Sequence, residues 1–273
     1  MSGSPPSRSV KGMVTLGVVR ARSARDAVAD AYARLRNPLL PPRHLRMHVG
    51  GSFNRVGIEN RHRFIELGGL KPNEQVLDIG CGVGRIAIPL LDYLDESARY
   101  DGFDVDAEMI AWAQKKITGR RPSFRFQHVD LETDMYNPGG SSSAASFRFP
   151  YEDAAFSFVF ATSVFTHLYP DETLNYIRES RRVLVPGGRL YGTWFLMRED
   201  EADPKPDRVF VPREGYWTAR PGDDRQAIGI SMSTASKMIS DAGLEITGVH
   251  DGRWSGRVGT MGARQDIIVA RAG

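Results

Sequence analysis

From residue 76 onward the chain alternates short apolar runs with segments of helical period, the pattern of βαβ units around a parallel sheet. Val76–Ile79 predicts a first strand and Val83–Tyr93 its helix. Tyr100–Phe103 predicts a second strand, followed by a helix over Ala107–Ile117, and Phe124–His128 a third strand. Phe156–Ala161 is apolar except for Ser157, as expected of a strand buried on both faces. A helix from Asp171 to Leu184 stops at Pro186-Gly187-Gly188, and Leu190–Leu196 reads as the fifth strand. Ser233–Ala242 is a helix closed by Gly243, and Leu244–His250 and Asp266–Ala270 form a closing strand pair. The expected fold class is α/β, doubly wound, with a mostly parallel seven-stranded sheet and an antiparallel last strand.

Upstream, Ser23–Arg36 predicts a helix with Val28, Tyr32 and Leu35 on one stripe, and Arg55–Leu67 a second helix ended by Gly68-Gly69. Residues 1–50 are expected to form a basic helical extension that covers a core spanning 51–273. Two stretches are too long for ordinary connectors: 134–150, with its Gly139–Ser143 run, and 197–229, which is polar and holds Pro204, Pro206, Pro212 and Pro221. Both are expected as insertions beside a binding site.

Composition narrows the class. With 273 residues, 41% hydrophobic, the chain is long enough for one large domain with a real core. No apolar stretch reaches the ~20 residues that span a bilayer, and Met13–Val19 has no cleavage site after it, so a cytoplasmic location is expected. Cys81 is the single cysteine, which excludes an internal disulfide and a multi-cysteine zinc site. Net charge is +3, but residues 1–50 hold nine basic side chains against Asp26 and Asp30. That asymmetry raises nucleic acid as a partner, yet the segment lacks the interleaved aromatics that single strands stack on.

The strongest chemical signal is Val76-Leu77-Asp78-Ile79-Gly80-Cys81-Gly82-Val83-Gly84-Arg85. A strand runs into a glycine turn that opens a helix, and glycine lets backbone pass close to a ligand. Asp104 ends the next strand, where a carboxylate can accept both hydroxyls of a ribose. A nicotinamide dinucleotide site would carry G-x-G-x-x-G. Here the spacing is G-x-G-x-G, with Arg85 at the next position, and the preceding Asp78 would repel a pyrophosphate while suiting a cationic ligand.

Asp78–Gly84 resembles the first motif of class I S-adenosylmethionine-dependent methyltransferases, and Gly102-Phe103-Asp104-Val105-Asp106 the second. His128-Val129-Asp130-Leu131, Phe149-Pro150-Tyr151 with Phe156–Phe160, and Arg182–Arg189 resemble the later ones, in order, over roughly residues 50–197. One departure is Ser157, where the family usually has Asp. The resemblance implies a Rossmann-like fold with S-adenosyl-L-methionine as cofactor. It places the methionine part near Asp78, Gly80, Cys81, Gly82 and Gly84, the ribose on Asp104, and the adenine against Val105, Asp130 and Leu131, with Thr162 beside the donor.

Methyl transfer to oxygen benefits from a general base beyond strand four. Thr162-Ser163-Val164-Phe165-Thr166-His167-Leu168 follows that strand and resembles a variant found in bacterial small-molecule and sugar methyltransferases, which makes His167 the candidate base; it could equally be a structural partner of the next helix. Acceptor contacts are expected from His44, Tyr136, Trp254 and Arg257, the last two as a stacking surface and a cation on the loop before the final strand. His44 and His48 stand four apart, but no acidic or cysteine neighbour completes a metal set. The expected function is methylation of a small-molecule acceptor, with a sugar or secondary-metabolite hydroxyl favoured over nitrogen or carbon. The rivals are a nucleic-acid methyltransferase, disfavoured because Thr162–Phe165 is not Asn/Asp-Pro-Pro-aromatic, and a non-catalytic donor-binding partner protein; an oligomer is compatible with either.

Overall fold

In a computed structural model, residues 24–132, 139–198 and 206–273 are described. They form α1 (Ala24–Arg36), α2 (Arg43–His48), α3 (Phe53–Glu66), β1 (Gln75–Ile79), α4 (Ala87–Leu90), β2 (Arg99–Asp104), α5 (Ala107–Ala113), β3 (Phe124–His128), β4 (Phe156–Ala161) and α6 (Pro170–Val183). Then follow β5 (Leu184–Trp194), β6 (Leu196–Met197), β7 (Val211–Arg213), β8 (Tyr216–Thr218), β9 (Ile228–Ser231), α7 (Met232–Asp241), β10 (Leu244–His250) and β11 (Asp266–Ala272). Seven strands make one sheet in the order β10-β11-β5-β4-β1-β2-β3. β11 runs antiparallel to both of its neighbours, and the other pairings are parallel.

Period-2 alternation divides the core into two layers. Leu77, Ile79, Val159 and Ala161 face the side covered by α6 and α7. Val76, Tyr100, Phe158, Phe160 and Tyr191 face the side covered by α3, α4 and α5. Phe64 of α3 locks onto that second face, its ring centroid 4.5 Å from Phe160 and 4.8 Å from Tyr191. Ser157, the departure from the family pattern, closes on the backbone of Gln75, accepting from its N–H at 3.2 Å and donating to its carbonyl at 3.4 Å. Its role is to pin the strand edge.

Several expectations shift. The helix after the glycine loop shrinks to the single turn Ala87–Leu90, with turns on either side. The α5 helix ends at Ala113 and continues as a π turn over Gln114–Thr118. The apolar stripe expected to bury α1 does not do so, because Tyr32 is 55% and Leu35 79% exposed. The 197–229 stretch is no bare loop: β6, β9, β8 and β7 form a second, four-stranded sheet. It is joined to the core where the Ile228 N–H donates to the Thr166 carbonyl at 2.8 Å. No described helix is long and apolar enough to cross a membrane.

Candidate active site

A cavity of about 840 Å³ opens beyond the carboxyl ends of β1, β2, β4 and β5. Ligands of doubly wound sheets sit at this edge, and the volume lies in the upper part of the ~300–1,000 Å³ range of small-molecule sites. Its two ends differ in charge. Asp104, Asp106 and Glu132 outnumber Arg85 at the glycine-loop end, whereas Arg208, Arg253 and Arg264 stand at the end formed by the second sheet and the β10–β11 loop.

The loop end is built from backbone. Gly80 and Gly82 line the cavity with φ of +72° and +51°, a region that L side chains rarely adopt. A Cβ on Gly80 would lie 2.7 Å from the Val164 side chain. Asp104 holds the loop from below: its carboxylate accepts the Gly82 N–H at 2.7 Å and the Asp106 N–H at 3.0 Å. Burial raises the Asp104 carboxyl above the ordinary aspartate range, partly offset by those N–H donors. A ligand hydroxyl pair would add donors to a carboxylate already positioned at the cavity wall. Val105, Leu131 and Thr162 also line the cavity.

Other residues expected at the donor are placed elsewhere. The Asp78 carboxyl is buried beneath the loop, where Oδ2 accepts from the Tyr100 hydroxyl and Oδ1 has no hydrogen-bond partner. Burial drives its pKa well up, with Asp104 adding to the rise. Asp78 therefore supports the loop through the protein and does not line the cavity. Cys81 packs on Gly102, where a Cβ would come within 2.8 Å of its own, and burial pushes its thiol well up, so it is a filler and not a ligand. Gly84 faces Ile117, whose Cδ1 lies 2.4 Å from where a Cβ would stand, so this glycine serves close packing. Asp130 is exposed outside the cavity wall, because it alternates with buried Val129 and Leu131.

Residues 47–52 cover the loop end. Arg85 donates to the carbonyls of Val49 and Gly50 at 2.7 and 2.8 Å, and Val49 lies against Gly82. His44 is taken up by Glu108 at 2.8 Å and is outside the cavity wall. His48 does reach it, with Nδ1 3.7 Å from Asp106. Among the described residues, no His, Cys, Asp and Glu group could hold a metal.

At the opposite end His167 lines the cavity. Its Nδ1 lies 2.6 Å from the Arg225 carbonyl, which can only accept, so Nδ1 carries the proton and Nε2 keeps its lone pair. Burial lowers its pKa, Arg208 adds to the lowering, and the Arg225 carbonyl partly offsets it. Arg225 is itself held by Glu172, both guanidinium nitrogens meeting both carboxylate oxygens at 2.7 and 2.8 Å. Sequence reading missed Ser163 and Gln265. Ser163 sits at φ +56°, uncommon for a non-glycine residue, and donates to Gln265 Oε1 at 2.9 Å. Gln265 Oε1 also accepts from Thr193 at 2.8 Å, tying β4, β5 and β11 together at the cavity.

Trp254 is a correction. It is 1% exposed, packs against Phe195 and Phe210, and donates from Nε1 to Asp266 at 2.6 Å. An indole so enclosed cannot stack on an acceptor. Arg257 is also absent from the cavity wall; Arg253 and Arg264 of the same loop take that place. Tyr136 lies outside the described residues. Trp254→Ala should cost ~3–5 kcal/mol of stability, measured by denaturant unfolding, since it leaves a large cavity and a buried carboxylate short of a donor. A loss under ~1 kcal/mol would show that the site can collapse or fill.

The strand order and the glycine loop define the fold of class I S-adenosylmethionine-dependent methyltransferases. Residues 76–188 match the family described as Methyltransferase domain. A solved S-adenosylmethionine-dependent methyltransferase from Aquifex aeolicus shares the fold with a TM-score of 0.52 at 19% identity, covering 81% of this chain and 93% of that one. Phosphoethanolamine N-methyltransferase 3 of Arabidopsis thaliana is 25% identical over 204 residues, which are 74% of this chain but 35% of that protein. The 27-O-demethylrifamycin SV methyltransferase of Amycolatopsis mediterranei is 28% identical over 182 residues, 67% of this chain and 58% of that protein. The chain thus spans about a third of the plant enzyme it matches.

Proposed function

We propose that the protein transfers a methyl group from S-adenosylmethionine to a hydroxyl of a small-molecule acceptor, with His167 as general base. The observation that carries this reading is the Nδ1–H donation from His167 to the Arg225 carbonyl, which fixes the tautomer with a basic Nε2 on a cavity-lining ring. The residues at the other end suit the donor: glycine backbone for close approach, Asp104 for a ribose, and acidic side chains for a cationic ligand. When bound, the donor supplies a methyl group activated by its sulfonium.

The chain's own part is alignment and proton removal. Asp104, Gly80 and Gly82 fix the donor end. The Ser163–Gln265–Thr193 network shapes the floor between the two ends, and Val164 and Thr162 crowd it. His167 Nε2 would take the proton from the attacking hydroxyl as the oxygen–carbon bond forms and the methyl–sulfonium bond breaks, leaving a neutral methyl ether, S-adenosylhomocysteine and a protonated imidazole. Two of the relatives are named for small-molecule acceptors, one for an N-methylation and one for an O-methylation, which supports a small-molecule acceptor. The test is a radiolabel-transfer screen from methyl-labelled donor across sugars and hydroxylated metabolites, with amine acceptors and duplex and single-stranded nucleic acid as comparisons. Turnover on hydroxyl acceptors is expected. Label carried only to amines or only to nucleic acid would sink the reading.

A further inference from the structure

The arginines at the acceptor end belong to three chain segments locked side by side. The Asp207 N–H donates to the Trp254 carbonyl at 2.7 Å, the Trp254 N–H to the Arg264 carbonyl at 3.0 Å, and the Arg253 N–H to the Ala263 carbonyl at 3.0 Å. These bonds set Arg208, Arg253 and Arg264 beside one another on the cavity wall. Trp254, buried beneath them and fixed to Asp266, is the anchor of the arrangement. The Asp266 carboxylate also accepts the Gly252 and Leu196 N–H groups, both at 2.8 Å, so the platform is rigid.

The counter-charges are few. Of the other cavity arginines, Arg225 pairs with Glu172, Arg63 and Arg55 share Glu59 at 3.4 and 3.8 Å, and Arg85 is bound by the Val49 and Gly50 carbonyls. Among the described residues Arg264 pairs with Asp207 alone, at 3.8 Å and with both side chains about half exposed. Among the described residues, Arg208 makes a ring contact with Phe195 at 5.6 Å and no ion pair within 4.0 Å. It is half-buried, and its guanidinium is pushed down by burial and by the neighbouring Arg264 and Arg220, with Asp207 offsetting part of this. Like charges gathered on a rigid base, one of them partly desolvated, destabilise the site until an anion arrives.

We propose that the acceptor carries an anionic group, a phosphate or a carboxylate, seated between Arg208 and Arg264 with Arg253 at the rim. The guanidinium fork suits both anions, since each offers paired oxygens to parallel N–H donors. The proposal rests on the acceptor reading above and names the chemical class of that acceptor. It also gives the cavity its polarity: acidic side chains toward the cationic donor, cations toward the anion, and His167 lining the same acceptor end. Electrostatic matching of this kind speeds encounter as well as holding the ligand.

The test is calorimetric titration of the protein, alone and saturated with S-adenosylhomocysteine, with inorganic phosphate and separately with acetate at low ionic strength. Saturable binding of at least one anion is expected. Phosphate stronger than acetate assigns a phosphoryl group, and the reverse a carboxylate. Arg208→Gln with Arg264→Gln should weaken that binding by at least about tenfold, the scale of a lost charge-assisted pair. Arg178→Gln, on the exposed face of α6, should leave it unchanged. If the double variant fails to fold, Arg264→Gln alone, at an exposed position, should still weaken binding by about threefold or more. No saturable anion binding, or binding equal in wild type and variants, overturns the proposal. S-adenosylhomocysteine affinity, read in the same titrations, judges the donor reading separately: S-adenosylhomocysteine bound without anion rejects only this inference, and anion bound without it rejects only the donor site.

Discussion

His167→Ala should lower kcat by ~10²–10⁴-fold while leaving S-adenosylhomocysteine affinity nearly unchanged. The proposed base lines the cavity at the end opposite the glycine loop and Asp104, which are proposed to hold the donor. The same ring also ties the second sheet to the core through Arg225, so truncation could lower the rate by loosening that sheet. His167→Asn separates the two roles. Its amide N–H can still reach the Arg225 carbonyl, but it has no basic nitrogen. A base predicts that Asn is as slow as Ala while keeping the wild-type melting temperature. Recovery of the rate in Asn would make His167 a structural anchor.

The pH dependence follows from the same geometry. Only neutral imidazole can accept a proton, so kcat rises with pH through the His167 ionisation. Burial and Arg208 lower that pKa from the ordinary 6.5, so the inflection is expected on the acid side of 6.5. The rate should therefore be level across neutral pH and fall only on acidification. An inflection above 7 would contradict the environment seen around the ring.

Asp104→Ala should weaken S-adenosylhomocysteine binding by ~1–3 kcal/mol, roughly 5- to 150-fold in Kd, through the loss of charge-assisted bonds to the ribose. Part of that loss could come from the glycine loop itself, since the same carboxylate receives the Gly82 and Asp106 N–H groups. A ligand cycle resolves this. Wild type should prefer S-adenosylhomocysteine to its 2′-deoxy analogue, and Asp104→Asn should lose most of that preference even if its loop stays folded. Equal discrimination in wild type and variant would place Asp104 in loop support only.

The donor end was largely legible in the chain because its chemistry is local. A strand, a glycine turn and the acid ending the next strand occupy two short stretches, and backbone geometry alone brings Gly80, Gly82, Asp104 and Val105 to one edge. Even there residue type misled for Asp78, Cys81 and Gly84. Which side of a turn a side chain takes depends on the neighbours that enclose it, here Tyr100, Gly102 and Ile117, each of them distant in sequence.

The acceptor end shows the reverse balance. The sequence by itself determined the succession of strands along the chain, the seven-stranded α/β class and the placement of Thr162–His167 after the fourth strand, since those follow from periodicity and chain order. It could not decide which arginines of an arginine-rich chain meet. Arg208, Arg253 and Arg264 converge through backbone hydrogen bonds between the second sheet and the β10–β11 loop. Trp254, which its flanking cations made look like a binding surface, went inside because Asp266 offered its indole N–H a buried acceptor. The N-terminal segment settled over the donor loop because Arg85 could bond the Val49 and Gly50 carbonyls there. Local pattern fixes where the backbone turns, but the partner that a polar side chain finds across 50 or 200 residues is chosen only when the chain is packed.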